Sequence, residues 1–96
     1  RGLAVTVSDE EILDAMRLLG RTQGIFGEPA GVTGTAGIKK ALELGLIDPD
    51  STVVSVVTGN GLKDVQSGIR ASGEPMLVPP DMDALLSAFA QRRIAP

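Results

Sequence analysis

The chain has 96 residues, a formal net charge of −3 and neither cysteine nor histidine, which excludes disulfides, thiolate metal sites and the commonest general base and metal ligand. With only two aromatics, Phe26 and Phe89, a core must come from aliphatic side chains, each worth roughly 1.5–3 kcal/mol when a large one is fully buried. No basic cluster is larger than the pair Arg92-Arg93, so nucleic acid and anionic membrane are poor partners, and no apolar run approaches the roughly 18 residues of a membrane span. A soluble, cytoplasmic protein is expected. Because the chain opens on Arg1-Gly2-Leu3 rather than methionine, it is also expected to be part of a longer one.

Leu3-Ala4-Val5-Thr6-Val7 predicts a strand that hands over to a helix at Ser8. Ser8 and Glu11 have the capping-box spacing, in which hydroxyl and carboxylate each satisfy an unpaired backbone N–H. Asp9 and Glu10 suit the positive end of the helix dipole. Ile12, Met16 and Leu19 share a face with Leu13 and Ala15 beside it, predicting a helix from about Asp9 to about Gln23, stopped by Gly24.

After the apolar connector Ile25-Phe26-Gly27, Glu28-Pro29 opens a second helix, with proline where its missing N–H costs nothing. Gly31, Gly34 and Gly37 recur every third residue, each losing roughly 1 kcal/mol relative to alanine. The stripe formed by Ala30, Gly34, Gly37 and Ala41 has almost no side chain, so a backbone or a flat ligand can approach it closely. The helix is expected to stop near Gly45, a conventional left-handed cap.

Asp48-Pro49-Asp50-Ser51 is a turn by composition. Thr52-Val53-Val54-Ser55-Val56-Val57-Thr58 follows as the strongest strand, an apolar run suited to a parallel strand covered on both faces. It ends in the tight turn Gly59-Asn60-Gly61. Residues 66–75 read as loop and 76–78 as a short edge strand. Asp81 then caps a last helix with Met82, Leu85, Leu86 and Phe89 on its apolar face and Arg92 and Arg93 at its end. The expected class is α/β, a partial open parallel sheet with flanking helices and no internal domain boundary.

Ligands of open α/β sheets bind beyond the carboxyl ends of the strands, which makes Thr58-Gly59-Asn60-Gly61 a candidate ligand edge as well as an ordinary strand-ending turn. The two glycines let backbone come near a ligand, and a threonine hydroxyl can donate to or accept from a heterocycle nitrogen. A dinucleotide fingerprint would need a third glycine at position 64, which is Asp64. Glu28 sits at a helix start, where a carboxylate either points into a cleft or complements the dipole. Lys39, Lys40 and Lys63 read as solvated lysines, since nothing near them in sequence would lower a pKa toward covalent catalysis. No metal site is expected.

In order and spacing, Ser8-Asp9-Glu10-Glu11-Ile12, then Gly24-Ile25-Phe26-Gly27-Glu28-Pro29-Ala30-Gly31, then Thr58-Gly59-Asn60-Gly61-Leu62-Lys63-Asp64 resembles the C-terminal part of the threonine synthases. These are pyridoxal-phosphate enzymes of the tryptophan-synthase-β superfamily, fold type II. The Glu-Pro-Ala-Gly element is shared with threonine dehydratase and serine racemase; the turn beginning at Thr58 is more specific, since dehydratases carry a serine-glycine-glycine-asparagine type of turn there. Gly27 departs from the larger or different small residue that members often have.

The resemblance implies that Thr58 hydrogen-bonds the pyridine nitrogen of pyridoxal phosphate, that Glu28 lines the cofactor pocket, and that Gly59, Asn60 and Gly61 shape the turn beneath the ring. Gly31 and Gly34 would let a helix approach the site. It implies a homodimeric parent that converts O-phosphohomoserine and water to threonine and phosphate. The covalent lysine, the phosphate-binding loop and most of the substrate phosphate pocket are not among these residues. The chain alone is therefore expected to be inactive, to bind cofactor weakly and to self-associate through exposed apolar faces. The competing expectations are part of a threonine or serine dehydratase, or a free-standing α/β module that holds a small ligand or a partner at the Gly59–Gly61 turn.

Overall fold

The computed structural model describes residues 2–92. Four helices follow in order, α1 (Asp9–Gln23), α2 (Pro29–Glu43), α3 (Val65–Ser72) and α4 (Met82–Arg92), with a single 3-10 turn at Gly61–Lys63. α1 is bounded as its sequence dictates. The Ser8 Oγ accepts from the Glu11 N–H at 3.2 Å while a Glu11 carboxylate oxygen accepts from the Ser8 N–H at 2.8 Å. At the other end Gly24 takes φ 66°, a left-handed cap whose N–H donates to the Gly20 carbonyl at 3.2 Å. α2 begins at Pro29 and ends two residues before Gly45, which has φ 68°.

The core is small and lies between α1 and α2. Leu13, Ala15 and Met16 of α1 meet Val32 and Ala36 of α2, and Val7, Ile12, Leu19, Val57 and Ala71 pack around them. The α1–α2 contact is sealed at its edge by Lys40, whose ammonium donates to Glu11 at 2.6 Å. α3 leans on α1 through Arg17, whose guanidinium donates to the Ala71 and Arg70 carbonyls at 2.9 and 3.1 Å. Arg17 thereby satisfies carbonyls that the end of a helix leaves without intrahelical donors.

The segment at 52–59 lies along α2 in the reverse direction. Gly31 approaches the Thr58 and Gly59 backbone, and one turn later Thr35 Oγ1 and Ser55 Oγ are hydrogen-bonded at 2.9 Å. Gly37 comes against Val5, to which an added Cβ would stand at 3.5 Å. The glycine stripe is thus a surface on which two chain segments rest, which supplies the contact that glycines of low helix propensity need.

The expected parallel sheet is not formed among the described residues. Residues 3–7, 52–58 and 76–78 make no ladder, and the one backbone bridge is antiparallel, between Gly27 and Asn60. A strand exists only with a hydrogen-bonded neighbour, and a valine-rich run favours a pleated surface only when side chains beside it complete that surface. Neither condition is met here: Val54 and Val56 are 84% and 71% exposed.

The expected loop at 66–75 is also corrected, because residues up to Ser72 form α3. Asp64 caps it, accepting from the Ser67 N–H at 3.0 Å and the Ser67 hydroxyl at 2.8 Å. α4 begins where Asp81 accepts from the Ala84 N–H at 2.9 Å and makes no packing comparable to that of α1 with α2 and α3. Arg93, expected at its end, lies outside the described residues. No helix among these residues is long and apolar enough to cross a membrane.

Candidate functional site

Two segments far apart in sequence are joined at one edge of the molecule. The connector before α2 and the turn after residue 58 exchange backbone hydrogen bonds: Glu28 N–H donates to the Gly59 carbonyl at 2.9 Å, and Gly61 N–H to the Phe26 carbonyl at 2.9 Å. Glu28, Gly59, Asn60 and Gly61 are therefore brought together, with Thr58 next in line. The close fit depends on glycine. A Cβ on Gly31 would lie 2.9 Å from the Gly59 nitrogen, and one on Gly27 would lie 2.5 Å from Val32 Cγ1 and 2.7 Å from Val57 Cγ1. A Cβ on Gly59 would fall on the Glu28 carboxylate, and one on Gly61 on the Phe26 ring.

Each predicted residue can now be placed. Thr58 is exposed at the end of its segment. Asn60 faces along the chain rather than into a cleft: its Oδ1 accepts from the Leu62 N–H at 2.9 Å and its carbonyl from the Lys63 N–H at 3.1 Å, which winds the 3-10 turn. Gly61 is buried. Glu28 occupies the N-cap position of α2 but makes no side-chain cap bond. Its carboxylate turns instead to the Lys63 ammonium, 3.0 Å away, with the Glu28 side chain 16% exposed and that of Lys63 66%.

Lys63 is the residue that sequence reasoning missed. Thirty-five positions separate the pair, so no local spacing announces it, and Lys63 looks like any solvated lysine. The other lysines also have carboxylate partners. Lys39 stands 3.9 Å from Glu43, and Lys40 is held above its ordinary value by its hydrogen bond to Glu11, the direction opposite to the one a nucleophilic lysine needs.

The arrangement is an open wall. An apolar concavity of about 460 Å³ lies beside Phe26, Gly61 and Leu62, and neither Thr58 nor Glu28 lines it. No cluster of three or more carboxylates fit to hold a metal ion occurs among the described residues. Chemically the wall offers an accessible hydroxyl, bare backbone at Gly59 and a sheltered carboxylate with a fixed counter-ion.

A family model described as pyridoxal-phosphate dependent enzyme matches residues 1–59. The chain is 51% identical over 84 residues to a protein named threonine synthase from Methanocaldococcus jannaschii, a match covering 88% of this chain and 21% of that one. It is 44% identical over 88 residues to a threonine synthase from Methanosarcina acetivorans, covering 92% and 22% respectively. With a threonine synthase from Bacillus sp. (strain ULM1) the identity is 52% over 66 residues, covering 69% and 19%. The chain thus spans about a fifth of the length of these curated relatives.

Proposed function

This chain belongs to the pyridoxal-phosphate dependent enzyme family, and from that premise we propose that the protein carrying it is a threonine synthase acting on O-phosphohomoserine and water to give threonine and phosphate. The relatives' names support the enzyme. The observation that carries the site is the bridge that sets Glu28 beside Gly59, next to Thr58.

The residues present fit one wall of a cofactor site. Thr58 holds an accessible hydroxyl suited to donate to a pyridine nitrogen, and Gly59, having no side chain, leaves the place a Cβ would take to the Glu28 carboxylate. Pyridoxal phosphate, when bound, supplies an electron sink for carbanions formed next to an amino group. A neutral hydroxyl at Thr58 orients the ring without forcing a proton onto its nitrogen, as a carboxylate in that place would, and so suits elimination and replacement chemistry. Glu28 lines the same wall as a fixed negative charge. None of the three lysines is suited to the covalent role, so that anchor is assigned to another part of the protein, and this chain by itself is inactive and binds cofactor weakly.

The missing sheet belongs to the same proposal. Residues 3–7 and 52–58 become strands of an open parallel sheet once the rest of the protein supplies their neighbours. The reverse course of 52–58 along α2 and the bare Val54 and Val56 support this. All 96 residues then act as one part of the cofactor-binding domain. A homodimeric parent and a cytoplasmic place rest on the resemblance alone.

In the whole protein, Thr58→Val is expected to weaken cofactor binding by about 1–3 kcal/mol, the cost of leaving a sheltered polar group unpaired. Spectrophotometric titration with pyridoxal phosphate measures it. An unchanged affinity and an unchanged cofactor spectrum would contradict the assignment of Thr58.

A further inference from the structure

We infer that Lys63 is a positioning residue for the site, fixing the direction of the Glu28 carboxylate over the Gly59 backbone; the inference rests on the reading of Glu28 as part of the cofactor wall. Three observations carry it. First, Glu28 has the backbone of an N-cap but not the side-chain bond, so the helix does not hold its carboxylate. Second, the carboxylate occupies the place that a side chain on Gly59 would take, and the Lys63 ammonium meets it there at 3.0 Å. Third, the two segments are already joined by the backbone bonds from Glu28 to Gly59 and from Gly61 to Phe26. The ion pair is therefore not needed to hold them together, and what it sets is where the carboxylate points.

Lys63 is itself held at both ends of its turn. Asn60 Oδ1 fixes the start by accepting from Leu62, and Asp64 fixes the end by donating its N–H to the Gly61 carbonyl at 3.2 Å and capping α3 with its carboxylate. In Asn60-Gly61-Leu62-Lys63-Asp64, then, two polar side chains shape the chain and the third reaches back to the wall. A pair with both ends in water is weak. Here the carboxylate is sheltered, so losing the cation leaves it without its partner and free to turn.

The test uses the whole protein reconstituted with pyridoxal phosphate, comparing Lys63→Met, Lys63→Arg, Glu28→Gln and the Lys63→Met/Glu28→Gln double variant. Cofactor affinity and the pH dependence of the cofactor's absorbance are read, with far-UV circular dichroism confirming that each variant is folded. Lys63→Met is expected to weaken affinity roughly threefold to tenfold and to move the pH dependence, Lys63→Arg to restore most of both, and the double variant to match Glu28→Gln alone. A Lys63→Met protein indistinguishable from the parent, or one whose defect persists in full beside Glu28→Gln, overturns the inference while leaving Glu28 in place. A Glu28→Gln protein with unaltered affinity and absorbance overturns the placement of Glu28 and the inference with it.

Discussion

At Gly31 a Cβ would stand 2.9 Å from the Gly59 nitrogen, whereas at Gly34 the nearest atom is Ser55 Oγ at 3.9 Å. The same substitution should therefore act in opposite directions at two positions one turn apart. Gly31→Ala in the whole protein is expected to cost about 1–3 kcal/mol, because the turn at Gly59 must shift, while Gly34→Ala gains up to about 1 kcal/mol from helix propensity. Denaturant unfolding measures both, and equal effects would contradict the packing described. Periodicity exposes the stripe but not which glycine bears the contact, since that depends on a segment more than twenty positions away. Gly27 is similar: its place between Val32 and Val57 leaves no trace in its neighbours. Thr58 and Glu28 are proposed for the site through motif resemblance, whereas the Glu28–Lys63 ion pair was not legible at all, because a pair across the fold has no local spacing.

Among the elements, α1 and α2 were legible because their ends are chemically marked by Ser8, Glu11, Gly24, Pro29 and Gly45. α3 was not. Its serines and glycines read as loop, and its stability comes from Asp64, from Arg17 on another helix and from the Phe26 ring beside Gly68. Glu11 links a helix cap to a helix pair, and its pKa is lowered below the ordinary 4.5, chiefly by the Lys40 hydrogen bond and then by the Ser8 N–H. A lowered carboxylate stabilises the fold above its unfolded value, and that contribution is lost as pH falls through the folded one. Lys40, raised above 10.5 by Glu11, contributes below that value and is lost as pH climbs through its own folded one. Glu11→Gln keeps an acceptor for the Ser8 N–H but removes the charge. It should lower the thermal midpoint at neutral pH and flatten the decline between about pH 5 and pH 3. A variant with the parent's acid profile would contradict the role given to this pair.

For the whole molecule, the expected parallel sheet is not formed among the described residues, for a reason outside the valine run itself. Strand pairing is a property of two segments, and a chain spanning about a fifth of its relatives' length need not contain both. In the proposed function the edge at Glu28 and Thr58 has the same character: one wall of a site whose chemistry is completed elsewhere in the protein. The most direct measurement is product analysis of the whole protein with pyridoxal phosphate, offered O-phosphohomoserine and, separately, threonine. Threonine and phosphate released in equal amounts from O-phosphohomoserine, with threonine itself left largely unconsumed, is the predicted result. Inert O-phosphohomoserine together with deamination of threonine would contradict the account and favour a dehydratase.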